Sequence, residues 1–283
     1  MRIAITGASG LVGRHASNVL RGEGHQVREI STRSAIKPED LEACDAVVHL
    51  AGEPVAQRWT AAAKQRIRSS RVDGTRHVVE ALAQLHKPPA VLISASAIGY
   101  YGSRGEETLA ESASPAQDFL GEVATEWERE ARRAAKHGTR VVILRFGVIL
   151  APDGGALKKM LPPFKLGIGG RIGDGKQWMS WVHIDDVARL IAFAIANESV
   201  DGPVNAVSPN PVTNAVFTRE LARALHRPAI FPVPLFALRM LFGQMAEILY
   251  ASQRVIPEAA LRAGFTFQFP ELRDALRGLV SGI

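Results

Sequence analysis

The chain has 283 residues, 47% hydrophobic and 22% charged, with a formal net charge of +6 and one cysteine, Cys44. These totals are ordinary for a globular protein built as one α/β domain, or as one domain with a small appendage. A single cysteine excludes an intrachain disulfide and a cysteine-rich metal site, and no apolar run approaches the roughly 18–20 residues that span a bilayer.

The first element is Arg2-Ile3-Ala4-Ile5-Thr6, a short run read as a strand, followed directly by Gly7-Ala8-Ser9-Gly10-Leu11-Val12-Gly13. An amphipathic stretch from Leu11 to about Arg21 comes next, so the order is strand, glycine turn, helix. Such a turn presents free backbone N–H groups at the positive end of a helix, where a diphosphate can sit. Gly7 permits the tight turn, Gly10 the close approach of phosphate, and Gly13 the packing of helix on strand. The spacing is Gly-x-x-Gly-x-x-Gly rather than Gly-x-Gly-x-x-Gly. A strand from residue 2 leaves no room for a targeting peptide, and the expected location is the cytoplasm, with no membrane partner.

The second strand, Gln26 to Ser31, ends Ile30-Ser31-Thr32-Arg33-Ser34. A carboxylate there would hold the ribose hydroxyls of NAD, whereas Arg33 can pair with a 2′-phosphate through a fork of donors, helped by Thr32 and Ser34. NADP(H) is therefore the expected cofactor. The next buried strand closes as His49-Leu50-Ala51-Gly52-Glu53, whose small residues let a cofactor pass, with His49 read as a core histidine.

A long helix follows from about Thr60 to Leu85, and then a strand, Ala90 to Ser94, runs into Ala95-Ser96-Ala97-Ile98-Gly99-Tyr100-Tyr101-Gly102. Hydroxyls just past a strand end are placed to polarise a carbonyl, which makes Ser96 and Tyr100 the expected catalytic residues. A helix over about Ala116 to His137 interleaves Glu126, Glu128 and Glu130 with arginines, which reads as a solvated face. No aromatic interleaving accompanies the basic residues, and no nucleic-acid partner is expected. The strand Arg140 to Phe146 then leads to Gly147.

Beyond residue 151 the chain is rich in Gly and Pro. Two of its four tryptophans fall in Gly173-Asp174-Gly175-Lys176-Gln177-Trp178-Met179-Ser180-Trp181-Val182-His183. Asp185 or Asp186 is expected to cap the helix that follows. Trp59, Tyr101, Gln177, Trp178, Trp181 and His183 form the expected substrate side, with Trp178 and Trp181 also read as core. Near the end, Phe236, Leu238, Leu241, Phe242, Met245, Ile248 and Leu249 recur at helical spacing, a pattern of core or interface that leaves a homodimer open.

Together these motifs resemble the extended short-chain dehydrogenase/reductase superfamily. The resemblance rests on Thr6 to Gly13, His49-Leu50-Ala51-Gly52, Gly74-Thr75, Arg145-x-Gly147 and Trp181-Val182-His183-Ile184-Asp185-Asp186. Arg58-Trp59-Thr60, Asp118-Phe119-Leu120 and Ser252-Gln253-Arg254-Val255 narrow it to the NAD-dependent epimerase/dehydratase subfamily with a small C-terminal domain of unknown function. The resemblance implies a Rossmann-type doubly wound parallel sheet with a smaller, partly helical C-terminal substrate region. It implies one domain over 1–234, with its nucleotide-binding core mainly in 1–150 and 182–208, and a small helical domain over 235–283. Arg145 and Gly147 join the expected cofactor residues on the same ground.

One departure limits what carries over. The superfamily's Tyr-x-x-x-Lys pair falls on Phe119-Leu120-Gly121-Glu122-Val123, where neither tyrosine nor lysine is present. Two functions are therefore expected from the sequence. The first is an NADP(H)-dependent oxidoreductase, epimerase-like, of a small polar substrate. The second is an NADP(H)-binding sensor or interaction protein linked to cell division.

Overall fold

A computed structural model of the chain describes residues 1–32 and 34–281. The first half alternates strand and helix: Arg2–Thr6 (β1), Leu11–Gly22 (α1), Gln26–Ile30 (β2), Pro38–Leu41 (α2), Ala46–His49 (β3), Ala61–Ala83 (α3) and Val91–Ala97 (β4). A 3₁₀ turn over Ile98–Tyr101 and the short Thr108–Leu109 (β5) lead to Phe119–Arg132 (α4) and Arg140–Phe146 (β6). Then come Val148–Leu150 (β7), Gly155–Lys165 (α5), Trp178–Met179 (β8), Trp181–His183 (β9), Ile184–Ala196 (α6), Gly202–Ala206 (β10), Val212–Thr213 (β11) and Asn214–Ala224 (α7). The chain closes with Leu235–Phe242 (α8), Glu247–Tyr250 (α9), Arg254–Val255 (β12), Glu258–Arg262 (α10) and Leu272–Val280 (α11).

Local chemistry sets the helix starts. The Thr60 hydroxyl accepts from the Ala63 N–H at 3.1 Å, and the Asp118 carboxylate accepts from the Gly121 N–H at 2.8 Å, each satisfying a donor that the first turn cannot. The start of α6 differs from the expectation. His183 is its cap, with Nδ1 accepting from the Asp185 N–H at 3.1 Å. Asp186 turns inward instead, accepting from the N–H groups of Gln268 and Phe269 at 2.7 and 2.9 Å.

Six strands form one parallel sheet in the order β10-β6-β4-β3-β1-β2. Alternation splits its residues between two cores. Ile3, Ile5, Val48 and Ile93 pack with Leu20 of α1 and Leu190 and Ile191 of α6. Ala4, Val47 and Leu92 pack with Val78, Val79 and Leu82 of α3. The sheet is thus doubly wound. β2 lies on one side of β1 and every later strand on the other, so the switch point falls between β1 and β3, where ligands bind beyond the strand carboxyl ends.

A third core joins Trp181 to Leu157 of α5, Phe217 and Leu221 of α7, and Leu272 and Leu276 of α11. Residues after β12 feed two cores, since Ala260, Phe265 and Phe267 pack with α1 and α6. The apolar α8 is the exception: it buries none of its residues. Among the described residues no helix is long and apolar enough to cross a membrane.

Candidate functional site

The glycine turn and the end of β3 meet at the switch point. Gly7 has φ +72°, and a Cβ built on it would lie 2.8 Å from the Ala51 nitrogen. A Cβ on Gly13 would lie 2.6 Å from the Ala8 Cα. Both positions therefore require glycine. The Gly10 cap of α1 makes no side-chain hydrogen bond, and no acidic residue stands in the first turn. The helix thus offers free N–H groups and positive potential to an anion. Ser9 is exposed, and Leu11 and Val12 are half-buried. The Leu11 side chain packs where Gly154 and Gly155 carry no Cβ.

Two cations near this cradle were not singled out in the sequence as cofactor residues. Arg14 donates to the Ser9 carbonyl at 3.0 Å and to Asp153 at 2.9 Å. Arg71 donates to the Glu53 carbonyl at 2.9 Å and lies under Gly52, and burial lowers its pKa to about 10. Glu53 itself donates its N–H to Ser70 at 3.0 Å. Thr32 and Ser34 are exposed just past β2; Arg33 lies outside the described residues. His49 is a core residue as expected, sharing hydrogen bonds with Thr6 and Thr75 at 2.6 and 3.0 Å.

A buried charged network underlies the end of β4. Even positions of β4 and odd positions of β6 face α4, which brings Ser96, Arg145 and Glu128 together. Arg145 holds Glu128 through Nε and Nη2, at 2.7 and 2.9 Å. It also donates to the Tyr101 hydroxyl at 2.8 Å and the Glu111 carbonyl at 3.0 Å. Ser96 donates to Glu128 at 2.8 Å, and Tyr101 donates to Asn205 at 2.7 Å. Burial opposes the Arg145 charge, but hydrogen bonds from its guanidinium to Glu128 and the carboxylate's charge overcome that and push its pKa upward. Burial pushes the Tyr101 phenol up to about 12. The solvated face read for α4 is corrected here, because Glu128 and Glu130 are both buried.

Tyr100 occupies the open side of this network. Its ring lies 3.6 Å from the Arg145 guanidinium carbon, and its hydroxyl has no hydrogen-bond partner among the described residues. Arg104, four residues on in the sequence, pairs with Glu107 at 2.8 Å, and the cation against the Tyr100 ring comes from β6. Where the superfamily has its tyrosine, Phe119 packs edge-on against Trp59 with centroids 5.1 Å apart, and the Lys64 ammonium lies 4.9 Å from the Phe119 centroid.

The expected substrate residues divide into two groups. Trp59 and Trp178 are half-buried, with their indole N–H groups donating to the Val55 carbonyl at 3.0 Å and Glu106 at 2.7 Å. Gln177 donates to the Ile172 carbonyl at 3.2 Å. Tyr101, Trp181 and His183 are buried. Trp181 donates to the Asn210 carbonyl at 3.1 Å, and His183 stacks on Phe269 at 3.8 Å, with burial lowering its pKa. Gly147 is a packing residue, since a Cβ there would meet the Ser180 carbonyl at 2.5 Å. Among the described residues no group of three or more His, Cys, Asp or Glu is placed to hold a metal ion.

The sequence pattern of the NAD dependent epimerase/dehydratase family matches residues 3–207. The chain belongs to that family. A domain of unknown function (DUF1731) matches residues 233–279. The chain is 38% identical over 299 residues to epimerase family protein YfhF of Bacillus subtilis, covering 99% of this chain and 98% of that one. The crystal structure of human epimerase family protein SDR39U1 with NADPH superposes with a TM-score of 0.93 at 32% identity, covering both chains in full (100% each). A nucleoside-diphosphate sugar epimerase from Corynebacterium glutamicum superposes with a TM-score of 0.81 at 34% identity, over 99% of this chain and 58% of that one.

Proposed function

We propose that this family member is a cytoplasmic NADP(H)-dependent oxidoreductase of a small polar substrate, with Tyr100 as the residue that moves a proton. The observation that carries the reading is that the carboxyl ends of β1 and β4 carry a glycine cradle and a phenol whose hydroxyl has no hydrogen-bond partner among the described residues. The NADPH in the human relative supports the choice of cofactor.

The cradle fits a dinucleotide, because the tight turn that glycine at 7 and 13 permits brings the α1 N-terminus, with no acidic residue in its first turn, to the end of β3. The α1 N-terminus with Gly10 to Gly13 would hold the diphosphate, Leu50 to Glu53 would flank the ring end, and Thr32, Arg33 and Ser34 would hold a 2′-phosphate. When bound, NADPH supplies a hydride. Tyr100 donates or accepts the proton at the substrate oxygen, while Arg145 keeps positive charge against its ring. Ser96 acts as a positioning residue, tying the end of β4 to α4 through Glu128. Trp59, Trp178 and Gln177, which are half-buried, are the residues assigned to the substrate, while Tyr101, Trp181 and His183 are buried and act through packing.

The test is NADPH oxidation over a panel of small polar carbonyl compounds. Turnover that disappears in Tyr100→Phe supports the assignment; undiminished turnover in that variant removes it. A second reading draws on Phe119 and Val123, which stand where the family's tyrosine and lysine would be. In it the chain binds NADP(H) as a sensor or interaction protein linked to cell division, and no substrate is turned over.

A further inference from the structure

Apart from Met1 and Leu261, every exposed large apolar side chain among the described residues lies in 166–168 or 230–248. These stretches are neighbours in space. Val233 donates its N–H to the Arg171 carbonyl at 2.7 Å, Gly173 donates to the Val233 carbonyl at 3.0 Å, and Ile172 pairs with Val233 in a parallel bridge. Leu166, Ile168, Ile230 and Phe231 therefore share one surface. The α8 helix continues it, since Leu235 packs on Gly173. Its sequence, Leu-Phe-Ala-Leu-Arg-Met-Leu-Phe, would ordinarily be core, yet Phe236 is 68% exposed and Met240 77% exposed.

The charge around this surface is mainly positive, with Asp153, Asp174, Glu220 and Glu247 at its borders. Residues 154–173 contain Lys158, Lys159, Lys165 and Arg171 and no Asp or Glu. Residues 221–246 contain Arg223, Arg227 and Arg239 and again no Asp or Glu. Lys165, Arg171, Arg227 and Arg239 are all exposed. Apolar side chains that project outward among exposed cations that outnumber the bordering acids match an anionic lipid surface, where the apolar tips enter the acyl boundary and the cations meet headgroups. The degree of projection favours a bilayer over a peptide, which would draw such residues into a half-buried groove.

We propose that the surface formed by residues 165–173 and 227–241 docks this chain on anionic membranes. This is attachment at the interface, not a span. The surface also adjoins the proposed substrate side: Lys159 donates to the Ala56 carbonyl at 3.3 Å, and Gly243 packs beside Arg58, next to Trp59. Docking would thus place the mouth of the site near the headgroups.

The experiment is co-sedimentation of the full chain with vesicles of phosphatidylcholine alone or mixed with phosphatidylglycerol. Binding is expected only with phosphatidylglycerol present, and it should weaken as salt rises. Two variants test the two components: Phe236→Ser/Met240→Ser/Leu241→Ser and Lys165→Glu/Arg227→Glu/Arg239→Glu. Each should keep the parent thermal melt and weaken vesicle binding, the second by at least about a hundredfold, since loss of each cation alone is worth about fivefold and the glutamates add repulsion. Absence of binding to both vesicles, or binding unchanged in both variants, overturns the proposal. A homodimer in sedimentation velocity that the serine variant dissolves, without vesicle binding, assigns the surface to a second copy. Binding of a soluble acidic amphipathic peptide without vesicle binding assigns it to a protein; either result also overturns the lipid assignment.

Discussion

The guanidinium carbon of Arg145 lies 3.6 Å from the Tyr100 ring centroid, while the same group holds the buried Glu128 carboxylate through two nitrogens. One side chain from β6 thus stacks on the phenol proposed to move a proton and also ties α4 to the sheet. The cation against the Tyr100 ring comes from 45 residues downstream, while the nearer Arg104 pairs with Glu107.

Removing the charge of Glu128 would leave Arg145 buried without its counterion. Glu128→Gln is expected to lower stability by about 3–5 kcal/mol, read as a shift in the urea midpoint. Glu128→Leu combined with Arg145→Met should cost less than the sum of the two single changes, because neither charge is then stranded. Strictly additive losses would mean that the pair is not coupled.

Tyr100→Phe keeps the ring on Arg145 and removes only the hydroxyl. Once a substrate is in hand, turnover should fall roughly 10²–10⁴-fold, the usual contribution of a general acid or base, with NADPH affinity unchanged. Ser96→Ala should behave differently. It removes a buried hydrogen bond to a carboxylate, so its main effect is a stability loss of about 1.5–3 kcal/mol, measured by denaturant unfolding.

Burial lowers the His49 pKa from 6.5 to about 4. Between those values the unfolded chain binds the proton and the folded chain does not, so stability is full above about pH 6.5 and falls as pH drops toward 4. The contribution is about 3 kcal/mol at most. In urea unfolding followed from pH 7 to 4.5, His49→Gln should flatten that decline relative to the parent. Equal slopes would show that His49 does not titrate between the two states.

Local pattern made the strands, the glycine turn and the small residues after His49 readable, because each depends on neighbours within a few positions. The network under β4 was not readable in the same way. Ser96, Glu128 and Arg145 come from three elements, and only the alternation of β4 against β6 brings them to one face. Their residue types gave a signal all the same: an Arg just before a strand end and a Glu within a helix both needed partners. For Trp181 the core reading holds, since its indole finds the Asn210 carbonyl. At α6 the cap is His183 rather than an aspartate, because Asp186 is drawn to the Gln268–Phe269 backbone. Periodicity in α8 indicated an apolar face; in the structure no residue of the helix is fully buried, and Ala237, Leu238 and Phe242 are half-buried.

The most direct test of the central claim is a fluorescence titration of the purified chain with NADPH and with NADH, alongside Arg33→Ala. Tight binding of NADPH, preferred over NADH and selectively weakened in the variant, is the predicted result. Failure to bind either nucleotide would contradict the account and leave the glycine turn a structural element only.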